Sequence, residues 1–233
     1  MIRRHYSTVA VVPIDDAFGI TLDGKALATP GRRPLRVPTL GLAEALAAEW
    51  RDQGEEIRPQ TMPLNQLVNT AIDRIAPERD ALVEGVLVFG AADLLCYRAE
   101  APRDLAERQD ALWQPIVDWA AGHLGAAMVV TTSLTHQTQP AAALARLAEI
   151  VAGYDLWRLT ALQSAVPAMG SLLLGIALVE GKIDAEAAHR AAQLDELYQA
   201  ERWGEDYEAV DRRNALLSQV AAAATLLYLT RLC

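Results

Sequence analysis

Thr61-Met62-Pro63-Leu64-Asn65-Gln66-Leu67-Val68-Asn69-Thr70-Ala71-Ile72-Asp73-Arg74-Ile75 is where the pattern of the chain changes. Pro63 suits a first helical position, where its missing N–H sacrifices no hydrogen bond. Beyond it, Leu64, Leu67, Val68, Ala71, Ile72 and Ile75 recur at the spacing of one helical face. Before this stretch the apolar runs are short and interrupted; after it the helical period dominates. Gly54, Pro59 and Pro63 cluster around residues 55–62 and mark a boundary. The expectation is an α+β protein. A small β-rich domain with one packed helix covers residues 1–60, and a larger all-helical orthogonal bundle covers residues 61–233.

On the N-terminal side, residues 9–12 and 19–22 read as strands, the second ending in Asp23-Gly24, a pair suited to the positive φ of a tight turn. Leu27 and residues 35–37 continue the short-strand pattern between Pro30, Pro34 and Pro38. Thr39 is placed to cap a helix in which Leu42, Ala43, Leu46, Ala47 and Trp50 share a face, with Gly54 ending the run. Trp50 is expected to pack against the sheet.

On the C-terminal side, Pro77 opens a helix through Leu82, Val83, Val86 and Leu87. Leu105, Leu112, Trp113, Ile116 and Val117 line another, with Trp113 in its core stripe and Trp119 diverging. Residues 126–132 read as a short strand. Helices follow from Pro140, Asp155, Ala168 and Asp184, and a last one runs toward Leu229 with a break near Gly204. Residues 159–179 carry no charge and are long enough for a bilayer. They also hold Gln163, Ser164, Pro167, Gly170, Ser171 and Gly175, so they read as two helices meeting near Pro167 in a water-soluble core.

The 233 residues carry 21 Lys+Arg against 30 Asp+Glu, a net charge of −9, and are 52% hydrophobic, too apolar for a disordered chain. The acidic balance disfavours nucleic acid, since little here would neutralise phosphates. No stable membrane insertion is expected. Cys96 and Cys233 are too few for a disulfide framework or zinc site, so a reducing compartment is the natural setting, and Cys96, between Leu95 and Tyr97, reads as a buried structural thiol. His5, His123, His136 and His189 are scattered without ligand spacing, no phosphate-binding glycine loop is present, and Gly170-Ser171 lacks the glycines of a nucleophile elbow. No cofactor is expected. The N-terminus lacks the apolar run of a secretory signal and the long basic helix of a mitochondrial presequence.

The most polarised segment spans residues 195–211. Asp195, Glu196, Glu201, Glu205, Asp206, Glu208 and Asp211 are interleaved with Tyr198, Trp203 and Tyr207. On a helix Glu196, Gln199, Ala200 and Trp203 share one face, and Glu201, Glu205 and Glu208 form an adjacent acidic row. A solvated helix face explains most such patterns. The functional alternative is a docking surface, an aromatic anchor among acids that select a basic partner.

Several stretches stand in order along the chain: Leu22-Asp23-Gly24-Lys25 with Thr29-Pro30, Ala47-Ala48-Glu49-Trp50, Met62-Pro63-Leu64 with Asn69-Thr70-Ala71-Ile72-Asp73, and Asp93-Leu94-Leu95-Cys96-Tyr97-Arg98-Ala99. Gln109 through Trp113, Pro115, Trp119, Leu194-Asp195-Glu196, Tyr198-Gln199 and Trp203-Gly204 complete the set. Together they resemble the family of assembly chaperones for the F-type ATP synthase catalytic head that bind the α subunit in mitochondria and α-proteobacteria. Against that resemblance, the lack of the mitochondrial members' presequence points to a bacterial cytoplasm. The resemblance implies two domains and a non-enzymatic role, keeping the unassembled α subunit soluble until it pairs with β. It places the family's sensitive acid on Asp195, where members often carry Glu, and family motif positions on Asp23, Gly24, Trp50, Asp73 and Trp113. The expected partner surface is Asp195, Glu196, Gln199, Glu201, Trp203 and Asp206, on a chain that is a monomer when free. The rival expectation is a small-molecule enzyme whose carboxylates, such as Glu49, Asp73 and Glu196, converge in an interdomain cleft.

Overall fold

The structure, a computed structural model, describes residues 2–231; Cys233 lies outside them. The chain opens with β1 (Ile2–Arg3), β2 (Val9–Ile14), β3 (Ala17–Leu22) and β4 (Lys25–Ala26), followed by α1 (Leu40–Arg51) and β5 (Glu56–Ile57). β2, β3 and β4 form an antiparallel sheet in that order, and β1 pairs with β5. The β3–β4 turn is Asp23-Gly24, with φ of 47° and 76°, the double positive φ that Asp and Gly tolerate. Leu27 and residues 35–37 do not extend the sheet as strands. Leu27 donates to the Ile20 carbonyl at 2.8 Å and accepts from Leu35 N–H at 3.3 Å, and beyond that only single bridges form, Ala28 to Pro34 and Phe18 to Val37, because Pro30, Pro34 and Pro38 supply no N–H for a continuous ladder.

Two compact units divide the chain. The first comprises the chain up to Arg79, Leu156–Ala161, and the chain from Ala222 onward. Its core gathers Ile20, Leu35, Val37, Leu42, Leu46, Val68 and Leu226, with Trp50, Trp157 and Leu229 packed against it. Thr39 caps α1, its Oγ1 accepting from Leu42 N–H, so Leu42 and Leu46 face this core.

α2 (Pro63–Thr70) continues without interruption as a π-helical turn, Ala71–Ile75. The stripe read from the sequence is buried at Leu64, Val68, Ala71 and Ile75, while Leu67 and Ile72 pack at its rim.

The second unit, Asp80–Asp155 and Leu162–Ala221, contains helices only as regular structure. α3 (Arg79–Ala91) starts two residues later than Pro77 suggests. α4 (Arg103–Trp119) ends in a π-helical turn, Ala120–Leu124, where Trp119 stacks on His123. Residues 126–132 are extended but bridge only once, Thr131 to Tyr97. After α5 (Ala141–Ala152), α6 (Leu156–Met169) retains Pro167 inside its last turns. The chain breaks instead at Gly170, with φ of 65°, and Ser171 caps α7 (Leu172–Val179), so the expected junction at Pro167 is displaced by three residues. Gly170 supplies the left-handed conformation that terminates a helix, whereas Pro167 removes one i→i−4 hydrogen bond from α6 without ending it. α8 (Ala185–Ala192), capped by Asp184, α9 (Leu194–Trp203) and α10 (Tyr207–Thr230) complete the chain, with the break at Gly204 where the sequence placed it. Among the described residues no helix is long and apolar enough to cross a membrane.

Candidate functional site

α9 is positioned through α4. Trp113 is fully buried and its indole N–H donates to the Ala191 carbonyl at 2.8 Å, fixing the chain just before α9. Tyr198, also buried, donates its hydroxyl to Asp104 at 2.9 Å, and Arg202 reaches the other oxygen of that carboxylate at 2.5 Å. The Tyr198 hydroxyl, with Arg202 beside it, holds the Asp104 carboxyl below its ordinary range. The Tyr198 ring receives two guanidiniums, Arg202 at 4.7 Å and Arg108 at 5.3 Å from its centroid.

The structure divides the six expected partner-surface residues. Glu196, Gln199, Trp203 and Asp206 come together with Arg212 and Arg213 around an open groove of about 290 Å³ beside the α9–α10 turn. Glu201 borders a separate hollow of about 260 Å³ with Arg108, Leu112, Arg190 and Leu197. Asp195 belongs to neither: its carboxylate accepts from Gln109 Nε2 at 2.8 Å, and the buried Gln109 in turn accepts from Ala99 N–H at 2.7 Å. Asp195 therefore orients a buried amide that pins the segment before α4.

Three of the seven acids are matched by cations the sequence reading overlooked. Glu196 pairs with Arg212 at 3.2 Å, Glu201 with Arg108 at 2.6 Å, and Glu205 with the largely buried Arg213 at 2.8 Å. The expected acidic row Glu201–Glu205–Glu208 does not form, because Gly204, with φ of 90° and ψ of 161°, ends α9 before Glu205. Asp206, Glu208 and Asp211 form no ion pair among the described residues. Trp203 is 77% exposed and Tyr207 90%. The Arg212-Arg213 pair is what the sequence reading misses, although both arginines stand directly after Asp211, and Tyr207, read there as one of the interleaved aromatics, is not among the expected surface residues.

The family motif residues of the first unit serve the fold. Asp23 accepts from Ser7 N–H and Thr8 N–H, which lower its pKa. Trp50 donates its indole N–H to Asn65 Oδ1 at 2.8 Å and meets Tyr6 edge-on. Glu49 accepts from the Leu64 and Asn65 N–H groups, both at 2.9 Å, supplying the cap that Met62 cannot give α2. Asp73 accepts from Thr29 Oγ1 at 2.6 Å and Gly31 N–H at 2.7 Å; a Cβ at Gly31 would sit 2.6 Å from this carboxylate.

The three carboxylates of the enzyme alternative each have such a partner, Glu49 and Asp73 on backbone and Glu196 on Arg212. Among the described residues no group of His, Cys, Asp and Glu could hold a metal ion. Cys96 is fully buried, and burial pushes its thiol up to about 12, the inert cysteine expected from its neighbours.

A sequence model of the family described as ATP12 chaperone protein matches residues 3–121. The crystal structure of Atp12 from Paracoccus denitrificans is 40% identical, with a TM-score of 0.93 over 99% of both chains. A protein of Agrobacterium tumefaciens is 41% identical with a TM-score of 0.93, over 98% of this chain and 86% of that one. The mitochondrial protein atp12 of Schizosaccharomyces pombe is 26% identical over 243 residues, covering 96% of this chain and 81% of its own.

Proposed function

The chain belongs to the ATP12 chaperone protein family, and on that premise we propose that it assists assembly of the F-type ATP synthase head by holding the unassembled α subunit. It keeps that subunit soluble until β replaces it, in a bacterial cytoplasm and without a catalytic step. The observation that carries the reading is the likeness to Paracoccus Atp12 along the whole chain. A subunit awaiting its neighbour exposes apolar surface that would aggregate. A holding protein must cover that surface and still yield it, which favours a few anchors and complementary charge over a large dry interface. The region around Asp195, Glu196, Gln199, Glu201, Trp203 and Asp206 is the proposed client face. Within it Asp195 acts through Gln109 rather than by contact.

Co-expression with the ATP synthase α subunit tests the reading. The expected result is α in the soluble fraction, retained by this chain and released when β is added. Equal precipitation of α with and without this chain would overturn it.

A further inference from the structure

We propose that the turn joining α9 and α10 is a receptor for a cationic segment of the client, an arginine- or lysine-bearing stretch that lies against Trp203 and Tyr207 and meets Asp206, Glu208 and Asp211. The proposal rests on the chaperone reading and specifies the chemistry of its client face.

Two large aromatic side chains stand exposed four positions apart, whereas Trp113 and Tyr198 are buried. Gly204 explains how: it ends α9 immediately after Trp203, and α10 begins at Tyr207. No hydrogen bond or ring contact within the described chain uses either ring. The surrounding charge selects the occupant. Arg212, Arg108 and Arg213 neutralise Glu196, Glu201 and Glu205, while Asp206, Glu208 and Asp211 pair with no cation among the described residues. The positive end of the α10 dipole accounts for acids at Asp206 and Glu208. It does not account for Asp211, one turn further on, nor for exposed rings. Tyr207 and Asp211, four residues apart, share a face of α10.

An anionic occupant would be repelled by this set. A purely apolar one would strip water from three carboxylates and pair none of them, which is costly. A guanidinium or ammonium satisfies both features at once, because an aromatic face attracts a cation and a carboxylate pairs with it. The molecule already builds this arrangement one turn earlier, where Arg108 and Arg202 flank the Tyr198 ring and Asp104 accepts from Arg202.

The test uses the full chain, a ring-deleted variant (Trp203→Ala with Tyr207→Ala), and a charge-neutralised variant (Asp206→Asn, Glu208→Gln and Asp211→Asn). The substitutions fall on exposed side chains, and an unchanged urea midpoint checks that the fold is kept. Binding of an arginine-rich and a glutamate-rich peptide of equal length is measured at low and high salt. The wild type should take up the arginine-rich peptide alone, each variant about tenfold more weakly, with binding fading at high salt. Equal binding by wild type and variants, or equal uptake of both peptides, overturns the receptor. In co-expression with the α subunit, variants that keep α as soluble as wild type does also overturn it while leaving the chaperone reading intact. A wild type that leaves α insoluble overturns the chaperone reading itself, while the peptide measurement still decides the receptor.

Discussion

In the first unit Asp23, Glu49 and Asp73 accept hydrogen bonds from backbone N–H groups of separate segments, whereas around α9 Glu196 and Glu201 meet solvent-exposed guanidinium groups. A backbone donor cannot swing away, so each acid of the first kind fixes the path of a loop or the start of a helix. A surface arginine can swing away, and its pairing contributes little. The first kind of carboxylate specifies the fold; the second leaves a surface whose pairs can be exchanged for a partner's.

If backbone anchoring sets the cost of losing an acid, a carboxylate anchored inside the second unit should behave like those of the first. Asp93 is that case: it is fully buried and accepts from Leu95 N–H at 3.0 Å, Ser171 Oγ at 2.7 Å and Leu173 N–H at 2.9 Å. Asp93→Ala strands these donors, and the expected loss is about 3 kcal/mol in urea unfolding. A loss as small as that of a surface pair would break the comparison.

The same carboxylate gives a pH signature. Burial raises the Asp93 pKa from 3.8 to about 6 against the pull of its hydrogen bonds. Between those values the unfolded chain gives up a proton that the folded chain keeps. The Asp93 contribution is therefore fullest at low pH and is lost as pH rises through the window. Relative to Asp93→Asn, which cannot titrate, the wild type should lose about 2 kcal/mol across it. Parallel stability profiles would remove Asp93 from the pH response.

Glu49→Ala uncaps α2, with an expected loss of about 1.5 kcal/mol in thermal or urea unfolding. Glu196→Gln, which breaks the Arg212 pair, should change stability by less than about 0.5 kcal/mol. A Glu196 effect equal to that of Glu49 would erase the distinction between the two regions.

Much of this fold is legible locally. The period change at Pro63, the Asp23-Gly24 turn, the Thr39 cap, the buried Trp113 stripe and the Gly204 break all depend on residues within a turn or two of each other. What was not legible depends on meetings between distant positions. Nothing near Glu49 says that it caps a helix fifteen residues later. Nothing near Glu201 announces Arg108, and the acidic stretch therefore looked more charged as a string than it is as a surface. The misplaced junction at Pro167 has a local cause: proline is the louder signal, but Gly170 alone adopts the left-handed backbone that ends α6.

Leu226 completes a core whose other members, Ile20 to Val68, lie in the first third of the chain. On a ribosome adding about 5–20 residues per second, roughly 10–40 s separate the emergence of the sheet from that of the residue that closes it. For that interval the nascent chain carries an apolar surface of its own to be shielded. A protein that guards an unfinished subunit would then begin life in the same predicament as its client.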